Sequence, residues 1–186
     1  DIVDITPVTT RISETLPVYD PLDLVSAGNV KARVRMLILY YYANRQGRLV
    51  VGTSDRSELM IGYFTKYGDA GADLLPLSGL YKTQVLQFAR SVGIPKEIVE
   101  RKPSPGLWAG QTAESELGLT YQTIDLVLHG IEQGLVPVEI SRLTQVPIRT
   151  VEYVLNRVIT TEHKRRGPVY LSAERGIRIL GHTIRI

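Results

Sequence analysis

The chain has 186 residues, which suits one domain or slightly more and leaves ample length to bury a core. Hydrophobic residues make up 44% of the sequence and charged residues 22%, a globular composition that argues against intrinsic disorder. The chain has no cysteine, which excludes disulfides and cysteine-ligated zinc. Its net charge of +3 favours an anionic partner, either nucleotide phosphate or nucleic acid.

The longest apolar patch, around residues 36–42, is too short to span a membrane. Asp1 and Asp4 are acidic where a secretory signal would be basic. The sequence therefore predicts no membrane partner and a cytoplasmic protein. Because the chain begins without methionine, we also expect it to be part of a longer protein.

The first 52 residues predict a strand–helix–strand unit. Residues 2–5 form an apolar run that indicates a strand, stopped by Pro7. Residues 29–45 repeat apolar side chains at helical spacing, and Gly47 ends this helix. Residues 48–52 then predict a short buried strand. This order is typical of an α/β fold with a parallel sheet, in which ligands bind beyond the carboxyl ends of the strands.

The residues after the second predicted strand are therefore candidates for a ligand site. Thr53 and Glu58 bring a hydroxyl and a carboxylate to the strand end, where they would suit a nucleotide and a magnesium ion, a hard cation that prefers oxygen ligands. An exposed acid that complements a helix dipole also explains Glu58 without any ligand.

Residues 80–91 predict a helix that ends at Gly93, and Pro95 starts another. Lys82 lies near the start of this helix, where a cation opposes the helix dipole by about 0.3–1 kcal/mol. Together with the free backbone N–H groups, however, such a lysine makes an anion site. A solvated lysine is the alternative.

The later part of the chain predicts a long loop followed by helices. Residues 102–118 are rich in proline and glycine, and a loop of this length is usually functional. Helices are predicted at 121–133, 138–143 and 148–161, and short strands at 169–171 and 177–180. The segment 163–166, His-Lys-Arg-Arg, suits either a bound phosphate or the negative end of a helix dipole.

Several long motifs, in chain order from about residue 1 to 166, resemble those of the ammonia-dependent NAD+ synthetases. They are GNVKARVRM at 28–36, VGTSDRSE at 51–58, GYFTKYGDAGADLLPL at 62–77, GLYKTQ at 79–84, PSPGLWAGQTAESELG at 103–118 and the dipeptide HK at 163–164. The resemblance implies a single domain over residues 1–186. Its fold would be an adenine-nucleotide α-hydrolase-like, Rossmann-like parallel sheet flanked by helices, with a C-terminal helical part.

The resemblance also implies a reaction. The family's enzymes use ATP to adenylate the nicotinate carboxylate of deamido-NAD, which releases pyrophosphate. Ammonia then attacks the mixed anhydride to give NAD+ and AMP. The expected partners are thus deamido-NAD, ATP with Mg2+, ammonia, and a second copy of the chain in a homodimer, with no nucleic acid. The 102–118 loop would be a mobile lid that excludes water from the acyl-adenylate.

Residue roles follow from the matched motifs. Thr53, Lys82 and Ser104 resemble the residues that contact ATP, and Glu58 resembles the magnesium ligand. Contacts to deamido-NAD are implied for a larger set: Asn29, Arg33, Tyr63, Lys66, Asp69, Asp73, His163 and Lys164. Because ammonia is the nucleophile, no side chain need act as one, and Asp69 or Asp73 would suit the deprotonation of ammonium.

One family motif is missing. The family carries a Ser-Gly-Gly-x-Asp-Ser pyrophosphate loop, and no Ser-Gly-Gly occurs in this sequence. We therefore expect the chain to be the C-terminal portion of the enzyme, inactive by itself, and we leave open whether the whole protein carries a glutaminase domain.

Three alternatives to this function remain. The chain could belong to another ATP pyrophosphatase that amidates a different carboxylate, or it could be a fragment retained for dimerisation or as a scaffold. The third alternative is nucleic-acid binding by residues 138–166, which imitate a helix-turn-helix. In that case Arg149, Asn156 and Arg157 on the second helix would suit a major groove.

Overall fold

The computed structural model describes residues 2–168, 177–179 and 182–184. The helices among these residues are α1 (Thr6–Thr15), α2 (Leu24–Gln46), α3 (Arg56–Ile61), α4 (Lys82–Ser91), α5 (Lys96–Val99), α6 (Ala113–Leu117), α7 (Tyr121–Glu132), α8 (Pro137–Thr144), α9 (Ile148–Thr160) and α10 (Glu162–Arg165). Two short strands, β1 (Ile177–Ile179) and β2 (His182–Ile184), pair antiparallel with Ile177 opposite Ile184.

The predicted α/β class, with a Rossmann-like parallel sheet, is wrong for the described residues, whose regular secondary structure consists of helices apart from one short antiparallel strand pair. Residues 2–5 form no strand. Residues 48–52 form no strand either: their pairing within the described chain is one isolated parallel bridge between Val51 and Leu74. A strand depends on a neighbour that takes up its backbone hydrogen bonds along its length, and an apolar run cannot supply that neighbour by itself.

The helix predictions are confirmed more closely, because their signals are local. The predicted helix 29–45 lies within α2, and Gly47 ends it in the left-handed region at φ +60°. The helix begins earlier than predicted because the Asp23 side chain accepts a hydrogen bond from the backbone N–H of Ser26. Helices α7, α8 and α9 match the predictions at 121–133, 138–143 and 148–161.

The other predicted elements have mixed outcomes. The long loop at 102–118 ends in the short helix α6, which Thr112 caps. The strand predicted at 177–180 is confirmed as β1, whereas 169–171 lies outside the described residues.

The hydrophobic core lies around α7, which contacts α3, α4, α8 and α9. Its fully buried members include Ile124, Val127 and Leu128 from α7, together with Val151 and Val154 from α9. Each such side chain contributes roughly 1.5–3 kcal/mol through its burial. The core therefore fixes the starts of α3 and α4, which carry the polar groups described below. Across the described residues, no helix has the length and apolar character needed to cross a membrane.

Candidate functional site

A cavity of about 820 Å³ lies between α2, the turn after α3, the start of α4, the loop before α6, and α9 with α10. Its volume is within the range of small-molecule and cofactor sites. Most of the predicted site residues line it: Asn29, Thr53, Glu58, Tyr63, Asp69, Lys82, Ser104 and Lys164. The fold thus brings residues from distant parts of the chain to one cavity.

The most charged part of the cavity joins the starts of α3 and α4. Asp55 caps α3 by accepting a hydrogen bond from the Glu58 backbone N–H at 3.0 Å, while the Glu58 carboxylate accepts the Asp55 N–H at 3.2 Å. The Lys82 Nζ atom lies 2.6 Å from Asp55 Oδ2 and 2.7 Å from Glu58 Oε1. We call these three residues the Lys82 cluster. It places one ammonium group between two carboxylates.

The environment shifts the pKa values within the Lys82 cluster. Burial raises the pKa of Glu58, and the neighbouring Asp55 charge raises it further, more than Lys82 lowers it. Burial by itself would lower the pKa of Lys82, but Glu58 and Asp55 outweigh it and the pKa is raised. The lysine therefore stays protonated at neutral pH, and two carboxylates that share one cation favour a further positive charge nearby.

A hydrogen-bonded network connects the cavity wall to the loop before α6. The Tyr63 hydroxyl donates to Glu116 Oε1 at 2.6 Å, and the Gln111 side-chain amide donates to the same oxygen at 2.8 Å. Burial raises the pKa of Tyr63, and the hydrogen bond to Glu116 adds to this effect. Ser104 Oγ donates to the Gln111 carbonyl at 2.6 Å. The loop is therefore folded against the cavity.

Helix α2 holds the same loop from the other side. Lys31 Nζ donates to the Leu107 carbonyl at 2.7 Å, and the Arg35 guanidinium donates to the carbonyls of Pro105 and Gly106 at 3.3 and 3.1 Å. The structure thus shows the loop in contact with both sides of the cavity. Its mobility as a lid stays a prediction.

Two cations from α9 and α10 lie in the cavity wall. Lys164 Nζ donates to the carbonyls of Gly62 and Phe64 at 2.8 and 2.9 Å. Burial lowers the pKa of Lys164, and the nearby Arg157 charge lowers it further. Arg157 lines the cavity, and its Nε atom is buried without a hydrogen-bond partner. None of the ion pairs among the described residues includes it. A guanidinium in this state is suited to an anionic ligand.

The other predicted residues lie beside the cavity and do not line it. Arg33 Nε donates to the Lys66 carbonyl at 3.3 Å, and Lys66 Nζ donates to the His163 carbonyl at 2.5 Å. Asp73 accepts hydrogen bonds from the Val50 backbone N–H at 2.7 Å and from the Tyr40 hydroxyl at 3.2 Å. The structure therefore separates Asp73 from Asp69, although both were predicted for one pocket.

No group of three or more His, Asp or Glu side chains with metal-site spacing occurs in the described part of the chain. Glu58 is the predicted magnesium ligand that reaches the cavity. Mg2+ often binds through one or two carboxylates together with substrate phosphates and waters, so a single carboxylate here fits that kind of site.

Sequence reasoning missed Glu116 as a site residue and considered Arg157 only as a contact to nucleic acid. Asp55 was among the candidates after the second predicted strand, but it was given no role. The Asp-x-x-Glu spacing of a capping box could have predicted the contact between Asp55 and Glu58. Arg157 lies three residues after the buried Val154, which places it on the inner face of α9 and away from the outer face that a helix-turn-helix would use. No local signal connects Glu116 with Tyr63. Together these features define a class of protein whose cavity has the size of a nucleotide site and is lined by both cations and carboxylates.

The comparison with protein families names that class more closely. The profile of the NAD synthase family matches residues 1–168, and the chain belongs to this family. It is 43% identical over 166 residues to the NH3-dependent NAD+ synthetase of Methanosarcina acetivorans, covering 89% of this chain and 65% of that protein. It is 52% identical over 147 residues to the corresponding synthetase of Sulfolobus acidocaldarius, covering 78% of this chain and 53% of that protein.

A solved structure shows the same similarity in three dimensions. An NMN synthetase from Francisella tularensis superposes with a TM-score of 0.76 at 36% identity, covering 90% of this chain and 64% of that one. The resemblance seen in the sequence motifs is thus confirmed at the level of the family. The chain nevertheless spans only between about half and two thirds of the length of these relatives.

Proposed function

We propose that this chain forms the substrate-binding part of an NAD+ synthetase, a ligase that amidates deamido-NAD with ammonia at the expense of ATP. The Lys82 cluster is the observation that carries the proposal, because it places a protonated lysine and a metal-binding type of carboxylate in a cavity of nucleotide size. The names of the curated relatives support the same reaction. We further propose that residues 1–186 belong to a single domain and that the protein is cytoplasmic.

The proposed ATP site follows from the charges. The carboxylate of deamido-NAD must attack the α-phosphate of a polyanion, so the site has to supply positive charge and orient the reactants. Two unit charges 4 Å apart interact by roughly 4 kcal/mol at an effective dielectric constant of 20. Lys82 would hold the phosphates, while the hydroxyls of Thr53 and Ser104 would orient the nucleotide. Glu58 would hold Mg2+, which supplies further positive charge to the phosphates when bound.

The proposed deamido-NAD site lies along the remaining cavity wall. Tyr63 offers a ring, Asn29 an amide and Lys164 a cation. Asp69 is exposed in the cavity and would accept a proton from ammonium; Asp73 remains the second candidate for that step. The ligand would have to extend past the rim of the cavity to contact the predicted residues that lie beside it: Arg33, Lys66, Asp73 and His163.

We also propose that the protein is a homodimer. Helix α2 exposes Leu37 and Tyr41, one turn apart, to 64% and 61%, and this apolar surface continues the face of the helix that carries Asn29 and Arg33. An exposed apolar surface of this kind is typical of a protein–protein contact. The dinucleotide would then bind close to the interface.

The test of this function uses the full-length protein that contains this sequence. With deamido-NAD, ATP, Mg2+ and ammonium, we expect NAD+ and AMP to form in equal amounts, and we expect the 186-residue chain by itself to form neither. Nicotinic acid mononucleotide is the informative second substrate, because one similar structure is an NMN synthetase. AMP release only with the mononucleotide, or only with an unrelated carboxylate, would reject deamido-NAD as the substrate.

Arg157→Gln is expected to weaken the binding of deamido-NAD by about tenfold or more, the usual effect of losing a charge-assisted hydrogen bond. Arg157 is chosen because it lines the cavity without an acidic partner in the described part of the chain. Isothermal titration calorimetry of the full-length protein measures the effect. Arg149→Gln, an exposed arginine on the same helix, is the matched control and should bind normally.

The same pair of variants also tests the nucleic-acid alternative. If Arg149→Gln weakens salt-dependent DNA binding and Arg157→Gln leaves ligand binding unchanged, α9 contacts nucleic acid and the proposed site is wrong.

A further inference from the structure

We propose that Asp125 is a positioning residue, which holds the starts of α3 and α4 together so that Lys82 points into the cavity. Asp125 belongs to α7, is 5% exposed, and does not line the cavity. No family motif in the sequence pointed to it. Its role in turnover rests on the proposed function, whereas its role in orienting Lys82 can be tested without any activity.

The contacts of Asp125 reach both helices. Its Oδ1 atom accepts a hydrogen bond from Ser57 Oγ at 2.5 Å, and its Oδ2 atom accepts one from the backbone N–H of Thr83 at 2.9 Å. Ser57 Oγ in turn accepts the backbone N–H of Lys82 at 2.8 Å. Asp125 therefore orients the Ser57 hydroxyl as an acceptor for Lys82, and the two side chains satisfy N–H groups that the first turn of α4 leaves free.

Ser57 connects this arrangement to the other half of the Lys82 cluster. It lies in the first turn of α3, directly before Glu58 and two residues after the capping residue Asp55. Both α3 and α4 pack on α7. The lysine comes from one helix and its two carboxylates from the start of the other, so their separation depends on how the two helix starts are joined. Asp125 joins them through the shared hydroxyl of Ser57.

The charge of Asp125 also suits this place. The start of α4 carries the positive end of the helix dipole and the Lys82 ammonium group, two features that repel one another. A buried carboxylate against the same N–H groups offsets that repulsion. Asp55 and Glu58 approach the ammonium from the other side. A serine or asparagine could cap α4 as a neutral acceptor, but it would not supply this charge.

The first readout is the reactivity of Lys82 itself. Limited labelling with an amine-reactive acetylating reagent, followed by peptide mass spectrometry across a pH series, reports how accessible and how strongly ion-paired this lysine is. We expect Asp125→Asn to increase the labelling rate of Lys82 by about fivefold or more, the factor expected for the loss of one hydrogen bond. Asp125→Glu should restore part of the protection, because it keeps the charge.

Glu132→Gln is the matched control. Glu132 is also on α7 and also bonds to α3 and α4 neighbours, through Arg56 and the Tyr81 hydroxyl, but it does not contact Ser57 or Lys82. It should change the thermal stability without changing the labelling of Lys82. Ser57→Ala removes the same connection from its other end, so combining it with Asp125→Asn should have little additional effect.

The second readout is turnover of the full-length protein. Asp125→Asn is expected to lower kcat by about tenfold or more while the KM for deamido-NAD stays within about twofold. The reason is that the substitution displaces Lys82, which is proposed to contact ATP and not deamido-NAD. A wild-type protein without NAD+ synthesis would reject the proposed function and leave the labelling test intact. Unchanged Lys82 labelling in folded Asp125→Asn would overturn the positioning role. If that variant does not fold, Ser57→Ala gives the decision by the same labelling criterion.

Discussion

Lys82→Ala is expected to lower kcat for NAD+ formation by the full-length protein by about 10²–10³-fold, the range seen when one preorganised group that stabilises transition-state charge is removed. The Lys82 ammonium group lies in the cavity, 14% exposed and held by two carboxylates. Its loss would leave negative charge on the transferring phosphate without a counter-charge from this position. Steady-state kinetics with ATP varied at saturating deamido-NAD measures the loss.

The control for this variant is Lys96→Ala. Lys96, like Lys82, is the first residue of a helix, but its side chain is 81% exposed and pairs with Glu100 one turn later. We expect normal kcat and a stability change near zero, as for most exposed ion pairs. Wild-type turnover by Lys82→Ala would show that the ATP phosphates bind elsewhere.

Removing Lys82 also leaves the carboxylates of Asp55 and Glu58 close together without a cation between them. The effect of this repulsion on stability has to be distinguished from the loss of catalysis. Glu58→Gln reduces this repulsion and removes the proposed Mg2+ ligand, and we expect it to lower kcat by orders of magnitude as well. Melting curves should show both variants folded under the assay conditions.

Because the pKa of Lys82 is raised, its ion pairs stabilise the fold below the pKa of an unfolded lysine, and that contribution is lost only as the pH rises through the raised value.

Gly62→Ala is expected to lower the free energy of unfolding by about 2–5 kcal/mol, the sum of a left-handed backbone and an overpacked contact. Gly62 ends α3 at φ +66°, and a Cβ atom there would lie 2.3 Å from the Cβ atom of Thr161. Its carbonyl also accepts the hydrogen bond from Lys164. The position thus needs glycine for its backbone conformation and for the close approach of the segment after α9. Urea denaturation measures the change.

Gly47→Ala provides the comparison that isolates the packing effect. Gly47 ends α2 with nearly the same backbone, at φ +60°, but a Cβ atom there would meet nothing within 4 Å. We expect a loss of about 1–2 kcal/mol, the cost of the left-handed conformation alone. Equal losses at the two positions would mean that the segment around Thr161 moves aside and does not hold the turn after α3 in place.

Much of the helical part of this protein could be predicted from sequence, because its signals lie within a few residues of one another. The apolar spacing of α7, α8 and α9 and the glycine after α2 correspond to elements in the structure. Lys82 at a helix start was also recognisable as an unusual placement. The structure explains it, since Asp55, Glu58 and Asp125 surround that helix start with negative charge.

Other features depended on contacts between distant residues. The sheet prediction failed because residues 48–52 look like a strand locally but pair only at Val51 with Leu74. Asp69 and Asp73 are four residues apart, yet only Asp69 lines the cavity, because Asp73 is bound to the Val50 backbone and Tyr40. The roles assigned to both by resemblance stay predictions.

The sequence by itself determined the family, the helices with strong local signals, and the set of polar residues from which a site could be built. Only the tertiary structure decided which of these residues share a cavity, that Arg157 lies in its wall, and that Asp125 reaches Lys82 through Ser57. The physical reason is one of range. Helix periodicity and capping act over a few residues, whereas strand pairing, burial and charge pairing depend on which distant segments meet.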